Sequence, residues 1–200
     1  LNMKDNFYEK LVPENEGGKA NNLEESVKCE SEEDCNALFK KACDKMLDIN
    51  SWHLLTDEKG ASFCVVDEQE NSVNRTPRKD DYVRIDIPGP GNKDGDGYDW
   101  VKIDALKSDA NHMGMTFRAC ERPQKADDST DHFFHKNATS TFIIEKKTAV
   151  VIASYYGRNE KINTDDKSLI DTIRNIVIGV GALLGFSELQ WKKLIKAFLE

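Results

Sequence analysis

The sequence predicts an α+β domain, an antiparallel meander of about six strands packed by an N-terminal helix and a long, hinged C-terminal helix. Three observations support this fold class. A helical period near the N-terminus gives way to a long region of strand-like alternation. The alternating runs follow one another without helical segments between them, which is typical of an antiparallel sheet. The most apolar stretch, Ile176 to Phe186, returns to a helical period near the end of the chain.

The N-terminal helix is predicted to begin after Ser31, because serine caps helix N-termini and Asp34 follows three residues later. Its apolar face consists of Cys35, Leu38, Phe39, Ala42, Met46 and Ile49. These residues recur at steps of three and four, as one face of a helix requires. The helix is expected to end near Asn50 and Trp52.

The residues before this helix differ in composition from the rest of the chain. Residues 1–30 are polar and acidic, and we expect them to form a flexible tail. Within that tail, Phe7, Tyr8 and Leu11 are expected to add one docked helical turn. A single α+β domain then occupies residues 31–200, which contain enough apolar and aromatic residues to build a core.

Six strands are predicted from alternating apolar and polar residues bounded by turn-forming residues. They span Ser62 to Asp67, Tyr82 to Ile87, Tyr98 to Leu106, Gly114 to Cys120, Thr141 to Glu145 and Thr148 to Tyr156. One face carries Val83, Ile85, Ile87, Val101 and Ile103, and the other carries Tyr82, Arg84, Asp86, Trp100, Lys102 and Asp104. Helices can cover the first face, and we interpret the second as a solvated face with cross-strand charge pairs.

The apolar stretch Ile176 to Phe186 has three interpretations. Its glycines are spaced nearly as in a dinucleotide-binding turn, but that motif needs a further strand, and the sequence ends at Glu200. As a membrane segment it is too short, because it has 11 residues and a spanning helix needs about 18 to 20. We interpret it as part of an amphipathic helix that begins at Ser168.

This C-terminal helix is predicted to bend at a hinge. Gly185 suits a left-handed helix C-cap, and Ser187 with Gln190 forms a capping box that starts a second helix. The residues expected to face inward in that second helix are Leu189, Leu194, Ile195 and Phe198.

This order of elements over residues 31–200 resembles the helix-grip architecture of the START and Bet v1-like superfamily. That fold normally begins with a strand before its first helices, whereas this chain offers only Val27, Lys28 and Cys29 there. The resemblance implies a curved sheet that grips the C-terminal helix around an apolar cavity for a lipid-like or polycyclic ligand. The residues that it would place against the ligand are Ile85, Ile103, Ile176, Val180, Leu183 and Leu184.

We therefore expect a non-catalytic domain that binds an apolar small molecule between the sheet and the C-terminal helix. Two alternatives remain open. One is a protein-interaction or envelope-associated module that exposes Tyr82 and Trp100. The other is a metal-dependent hydrolase that uses the loop containing His132 and His135. A net charge of −8 without a basic run argues against nucleic acid and against an anionic membrane surface as partners.

The cysteines and the N-terminus bear on the compartment. Cys29 and Cys35 are close enough in sequence to bridge in an oxidising environment, whereas Cys64 and Cys120 fall in apolar strand patterns that suit reduced core thiols. The chain opens on Leu1 without a signal-peptide pattern. We expect a secreted or periplasmic protein whose signal peptide has been removed.

Two loops contain possible metal ligands. Asn92, Asp94 and Asp96 match the first half of an EF-hand calcium loop, but position twelve is Ile103 instead of the bidentate glutamate. We interpret this segment as a glycine-rich hairpin connection with at most weak calcium binding, and we expect no other cofactor. His132 and His135, with His112 as a further ligand, could hold a metal. The adjacent phenylalanines instead favour a loop that folds inward and leaves these histidines at a solvated edge.

Overall fold

The computed structural model describes residues 7–56, 61–86, 97–124, 137–160 and 188–200. A short helical turn at residues 7–9 precedes the first strand. The strands are β1 (Lys19–Lys28), β2 (Ser62–Val66), β3 (Tyr82–Asp86), β4 (Asp99–Ser108), β5 (His112–Ala119), β6 (Thr139–Lys147) and β7 (Val150–Glu160). The helices are α1 (Glu32–Leu47), α2 (Trp52–Leu55) and α3 (Glu188–Phe198), with a 3-10 turn at Ile49–Ser51 between α1 and α2.

Within these residues the strands form one antiparallel sheet in the order β1-β7-β6-β5-β4-β3-β2. The predicted fold class, an antiparallel meander with an N-terminal and a C-terminal helix, is confirmed. Six of the strands lie where alternation predicts them. The seventh, β1, supplies the initial strand that the sequence did not reveal. Residues 19–28 are therefore a strand and not part of a flexible tail.

Alternation does not reveal β1 because the strand is polar on both faces. It lies at the edge of the sheet, and its partner β7 supplies the hydrogen bonds that hold it. Most of its side chains remain exposed, with Asn21 the buried exception. An edge strand needs no apolar face of its own when backbone pairing and one neighbour hold it in place.

Helix α1 begins as predicted. The Ser31 hydroxyl accepts a hydrogen bond from the Asp34 backbone N–H at 3.1 Å, which caps the helix. Cys29 and Cys35 form a disulfide that ties the end of β1 to the first turn of α1. The two ends of this connection are thus held together both by a cap and by a covalent bond.

The core lies between the helices and one face of the sheet, which we call the inner face. Trp52 of α2 is fully buried at its centre. Its ring lies 5.1 to 5.8 Å from the rings of Phe63, Phe117, Phe142 and Phe198. The side chains predicted to face the core from β3 and β4, Val83, Ile85, Val101 and Ile103, are all buried. Aromatic packing therefore joins α2 and α3 to the sheet.

The opposite face of the sheet, the outer face, agrees only in part with the prediction of a solvated face with cross-strand charge pairs. Arg118 of β5 does pair with Asp104 of β4 at 2.6 Å. Trp100 is only 3% exposed, and Tyr82 is half-buried. An interaction module that presents these two rings together loses its main support, because one of them is inside the protein. Arg84 and Lys102 do stay partly exposed, stacked against Tyr98 and Tyr82 respectively.

Farther along the outer face, the N-terminal segment covers β5 and β6. The Thr116 hydroxyl donates a hydrogen bond to the Leu11 carbonyl at 2.8 Å. The Leu11 side chain lies against Gly114, where a Cβ would collide with it. The Tyr8 hydroxyl donates to Glu145 at 3.0 Å. The predicted docked turn at Phe7, Tyr8 and Leu11 is therefore present, and it buries polar side chains of the sheet.

The described part of the C-terminal region is α3. Its buried side is formed by Trp191, Leu194, Ile195 and Phe198. Leu189 is 65% exposed, so the prediction that it faces inward is wrong. It lies two residues before Trp191, which places it on the other side of the helix. The apolar stretch Ile176 to Phe186 and its hinge lie outside the described residues. Among the described helices, none is long and apolar enough to cross a membrane.

Candidate functional site

A β-bulge near the end of β7 directs the carboxyl group of Glu160 toward the protein interior. Gly157 pairs with Asn21 of β1, and Glu160 pairs with Lys19, so three steps along β7 oppose two along β1. Asn159, between these pairs, has a φ of 55°. Side chains alternate along a regular strand, but one extra residue shifts the alternation. Glu160 therefore faces the same side of the sheet as Gly157, which is the inner face.

The left-handed backbone of Asn159 is held by the segment before β1. Its side-chain oxygen accepts hydrogen bonds from the backbone N–H groups of Glu16 at 2.7 Å and Gly17 at 3.3 Å. The backbone N–H of Asn159 donates to Oδ1 of Asn15 at 2.7 Å, and the side-chain Nδ2 of Asn159 donates to the Glu14 carbonyl at 3.1 Å. These four bonds offset the strain of a non-glycine residue in this conformation.

Glu160 forms a polar cluster with two residues of the inner face. The Tyr155 hydroxyl donates to Glu160 Oε1 at 3.3 Å and lies 3.1 Å from Ser140 Oγ. On its other side, the Tyr155 ring stacks on Trp191 of α3, with centroids 4.8 Å apart. The cluster thus joins β6, the end of β7 and the C-terminal helix. We call Ser140, Tyr155 and Glu160 the inner polar cluster.

Burial dominates the electrostatics of this cluster. Ser140 and Tyr155 have no exposed surface, and Glu160 is 5% exposed. Burial raises the pKa of Glu160 above its ordinary value, because the charged form loses its hydration, while the hydrogen bond from Tyr155 opposes that shift. Burial also raises the pKa of Tyr155 well above its ordinary value. Tyr155 is therefore a neutral hydrogen-bond donor at any physiological pH.

Two polar atoms near this cluster lack hydrogen-bond partners in the described part of the chain. One is Glu160 Oε2, and the other is Asn21 Nδ2, whose residue is 8% exposed. Asn21 lies directly across from Gly157, beside which the Glu160 carboxyl sits. An unpaired buried polar group costs on the order of 1 to 3 kcal/mol. Both groups belong to side chains on the inner face, at the paired ends of β1 and β7.

Sequence reasoning missed the inner polar cluster. The last strand was predicted to end at Tyr156, whereas β7 continues through Glu160. The available signal was the glycine at position 157, directly after an apolar run, because a glycine inside a strand often marks a bulge. The register that decides which way Glu160 faces could not be inferred, because β1 itself was not identified.

The residues predicted to contact a ligand divide into two groups. Ile85 and Ile103 are fully buried on the inner face, on neighbouring strands. Ile176, Val180, Leu183 and Leu184 lie outside the described residues. The same holds for the predicted metal ligands Asn92, Asp94 and Asp96 and for the histidines His132 and His135. Ligand contact by all of these residues stays a prediction.

The described residues contain no candidate metal site. Among those residues no group of three or more His, Cys, Asp or Glu side chains could hold a metal ion. His112 instead lies against the N-terminal segment, stacked on Phe7 with centroids 4.8 Å apart. Its Nδ1 is 2.9 Å from Asp109 Oδ1, and its Nε2 is 3.6 Å from Glu145 Oε1. These contacts hold the outer face together.

Comparison with known proteins finds similarity only among solved structures. No family model and no curated protein matches the sequence. A hypothetical protein from Helicobacter pylori has a TM-score of 0.56 and 10% identity, with 90% of this chain and 86% of that chain covered. Norcoclaurine synthase from Thalictrum flavum has a TM-score of 0.45 and 8% identity, covering 90% and 85%. Ginseng major latex-like protein 151 from Panax ginseng has a TM-score of 0.37 and 12% identity, covering 79% and 92%.

At these identities the similarity concerns the fold alone. The strand order, with the first strand beside the last and the remaining strands in sequence, agrees with the resemblance that the order of elements suggested. The helices pack on one side of this sheet. The chain thus has an α+β fold with an open antiparallel sheet of seven strands within its described residues and helices packed on one face, an architecture similar to that of the Helicobacter pylori protein.

Proposed function

We propose that this domain binds a small, mainly apolar molecule against the inner face of its sheet, with the inner polar cluster at the polar end of the ligand. The observation that carries the proposal is the inward carboxyl of Glu160. It is turned into the protein by a bulge at Asn159, and one of its oxygens has no partner among the described residues. Strained backbone residues cluster at functional sites, and an unsatisfied buried polar group requires an explanation of its own.

A purely structural core would be more stable without this carboxyl. Burial raises its pKa, which means that the charged form destabilises the fold. Ligand sites in proteins combine an apolar wall with a few polar groups at defined positions. Ile85 and Ile103 lie on the same inner face and would belong to that wall. Ile176, Val180, Leu183 and Leu184 of the predicted C-terminal helix would complete it.

Native mass spectrometry of the full chain tests the proposal. We expect a bound species of a few hundred daltons that organic extraction removes, together with a lower melting temperature after extraction. A library of apolar alcohols, acids and amines, screened by thermal shift on the extracted protein, should return binders. Absence of both a copurified ligand and any stabilising compound would refute the proposed function.

Two neighbouring tyrosines provide a matched pair of variants. Tyr155 faces the inner polar cluster, whereas Tyr156 faces the outer side, where its ring meets Tyr8. We expect Tyr155→Phe to weaken ligand binding about tenfold, because Glu160 loses its donor. Tyr156→Phe should leave binding unchanged. Equal effects of the two substitutions would place the ligand elsewhere.

We also propose that the protein folds in an oxidising compartment, as a secreted or periplasmic protein does. The Cys29–Cys35 disulfide supports this, since such bonds persist mainly outside the cytosol. After unfolding without reductant, alkylation should modify the three free cysteines, Cys43, Cys64 and Cys120, and reduction should expose two more. Cys64→Ser is the control: it should lower the number modified before reduction from three to two and leave the two further cysteines unchanged. Alkylation of all five cysteines before reduction would contradict the proposal.

A further inference from the structure

We infer that the polar end of the ligand is a hydroxyl group, which donates a hydrogen bond to Glu160 Oε2 and accepts one from Asn21 Nδ2. This inference rests on the proposed function and specifies its ligand class as an alcohol on an apolar skeleton. It assigns to Asn21 a role in ligand binding that the fold alone does not suggest.

The two side chains occupy neighbouring positions on the inner face. Asn21 and Gly157 are directly paired across β1 and β7, so their side-chain directions point to the same side of the sheet. Side chains at such paired positions lie about 5 Å apart at Cβ. Glu160 Oε1 lies 2.5 Å from the place where a Cβ of Gly157 would be. The carboxyl therefore occupies the side-chain position next to Asn21.

The directions of the hydrogen bonds show whether Glu160 Oε2 and Asn21 Nδ2 each lack a donor or an acceptor. The single proton of the Tyr155 hydroxyl goes to Glu160 Oε1, so Ser140 must be the donor in the bond between the two hydroxyl groups. Glu160 Oε1 is thus satisfied. Oε2 remains as an acceptor without a donor, and Asn21 Nδ2 remains as a donor without an acceptor, among the residues that the structure describes.

A hydroxyl group supplies both functions from one oxygen atom. A carboxylate only accepts, so it would satisfy Asn21 but oppose the Glu160 carboxyl. An ammonium group only donates, so it would leave Asn21 Nδ2 unpaired and would bring a second charge into a buried site. If Glu160 is protonated, a hydroxyl can still accept from it. The alcohol therefore suits the site in either protonation state.

The test uses three ligands with the same ten-carbon chain: 1-decanol, decanoate and decylamine. Dissociation constants are measured by isothermal titration calorimetry on extracted full-length protein at pH 7. We expect 1-decanol to bind about tenfold more tightly than either charged compound, which corresponds to the hydrogen bond that each of those lacks. Tighter binding of decanoate or decylamine would overturn the inference.

Two substitutions test the hydrogen-bonding roles of Glu160 Oε2 and Asn21 Nδ2. Glu160→Gln replaces the acceptor Oε2 with an N–H donor, so the site then presents two donors. The preference for 1-decanol over decanoate should fall at least tenfold. Asn21→Leu should weaken 1-decanol about tenfold, whereas Asn22→Leu, at the adjacent exposed position, should not. Far-UV circular dichroism checks that each variant is folded. If Asn21→Leu unfolds, the isosteric Glu160→Gln alone tests the hydroxyl assignment.

The outcomes separate this inference from the proposed function. If all three compounds bind and neither variant changes their order, the domain binds ligands but the hydroxyl assignment is wrong. If none of the three binds and no ligand copurifies with the protein, the proposed function fails and the inference fails with it.

Discussion

Gly157 lies directly beneath the carboxyl group of Glu160. Glu160 Oε1 is 2.5 Å from the position that a Cβ on Gly157 would take, closer than such atoms can approach. The absence of a side chain at residue 157 is therefore what lets the carboxyl reach the Tyr155 hydroxyl. A single methyl group added at residue 157 would therefore disrupt the inner polar cluster.

Gly157→Ala should displace the Glu160 carboxyl without unfolding the protein, because the obstructed atom is the end of a flexible side chain. We expect a loss of about 1 kcal/mol in the free energy of unfolding, from the broken hydrogen bond to Tyr155. Urea denaturation measures it. In a Glu160→Ala background the same substitution should have little effect, since the clash is gone. An equal loss in both backgrounds would show that Glu160 does not occupy this position.

The stability of the protein should fall as the pH rises through the range in which Glu160 ionises. Burial raises the pKa of Glu160 in the folded state, so its protonated form favours folding. This contribution is complete below the unfolded pKa of about 4.3 and is lost as the pH rises through the folded pKa. Urea denaturation between pH 4 and pH 8 should show this decline in the wild type and a smaller one in Glu160→Gln.

Glu70 is the matched control for that experiment. Arg122 binds its carboxyl through two hydrogen bonds, of 2.8 and 2.9 Å, and lowers its pKa. The stability that ionised Glu70 contributes is present above the unfolded pKa of Glu70 and is lost as the pH falls through its folded pKa. Glu70→Gln should therefore reduce stability at neutral pH and not at acid pH. The same pH dependence in both variants would contradict the assignment of Glu160.

Trp52 should be the most costly side chain to truncate in the core. It contacts four other rings and has no exposed surface. We expect Trp52→Ala to lower the free energy of unfolding by about 3 to 5 kcal/mol, through lost burial and the cavity that remains. Leu54→Ala, two residues away and 63% exposed, should change it by less than about 0.5 kcal/mol. Chemical denaturation of the two variants gives the comparison.

The N-terminal segment should contribute to stability through Leu11, which is buried against the outer face. We expect Leu11→Ala to lower the free energy of unfolding by about 2 to 3 kcal/mol. Gly114→Ala should also destabilise the protein, because its methyl group collides with Leu11. In the Leu11→Ala background the added methyl should instead fill space and restore part of the loss. A purely additive double mutant would mean that the two residues do not touch.

The helices and central strands followed from the sequence because their signals are local. Ser31 caps α1 with its own neighbour Asp34, and the inward residues of β3 and β4 alternate within each strand. Such patterns need no knowledge of the rest of the chain. The predicted inner face, including Ile85 and Ile103, followed from the same alternation. Cys29 and Cys35 were identified as a possible pair because they are close in sequence.

Three features were decided only by tertiary structure. The polar strand β1 forms because β7 offers it an edge, and the outer side of β5 and β6 is buried because residues 7–12 cover it. Glu160 faces inward because one extra residue in β7 changes its pairing with β1, more than 130 residues earlier. A shift of one residue moves a side chain to the other face of a sheet. The sequence alone thus determined the fold class and the main core, whereas long-range register decided where the candidate binding group points.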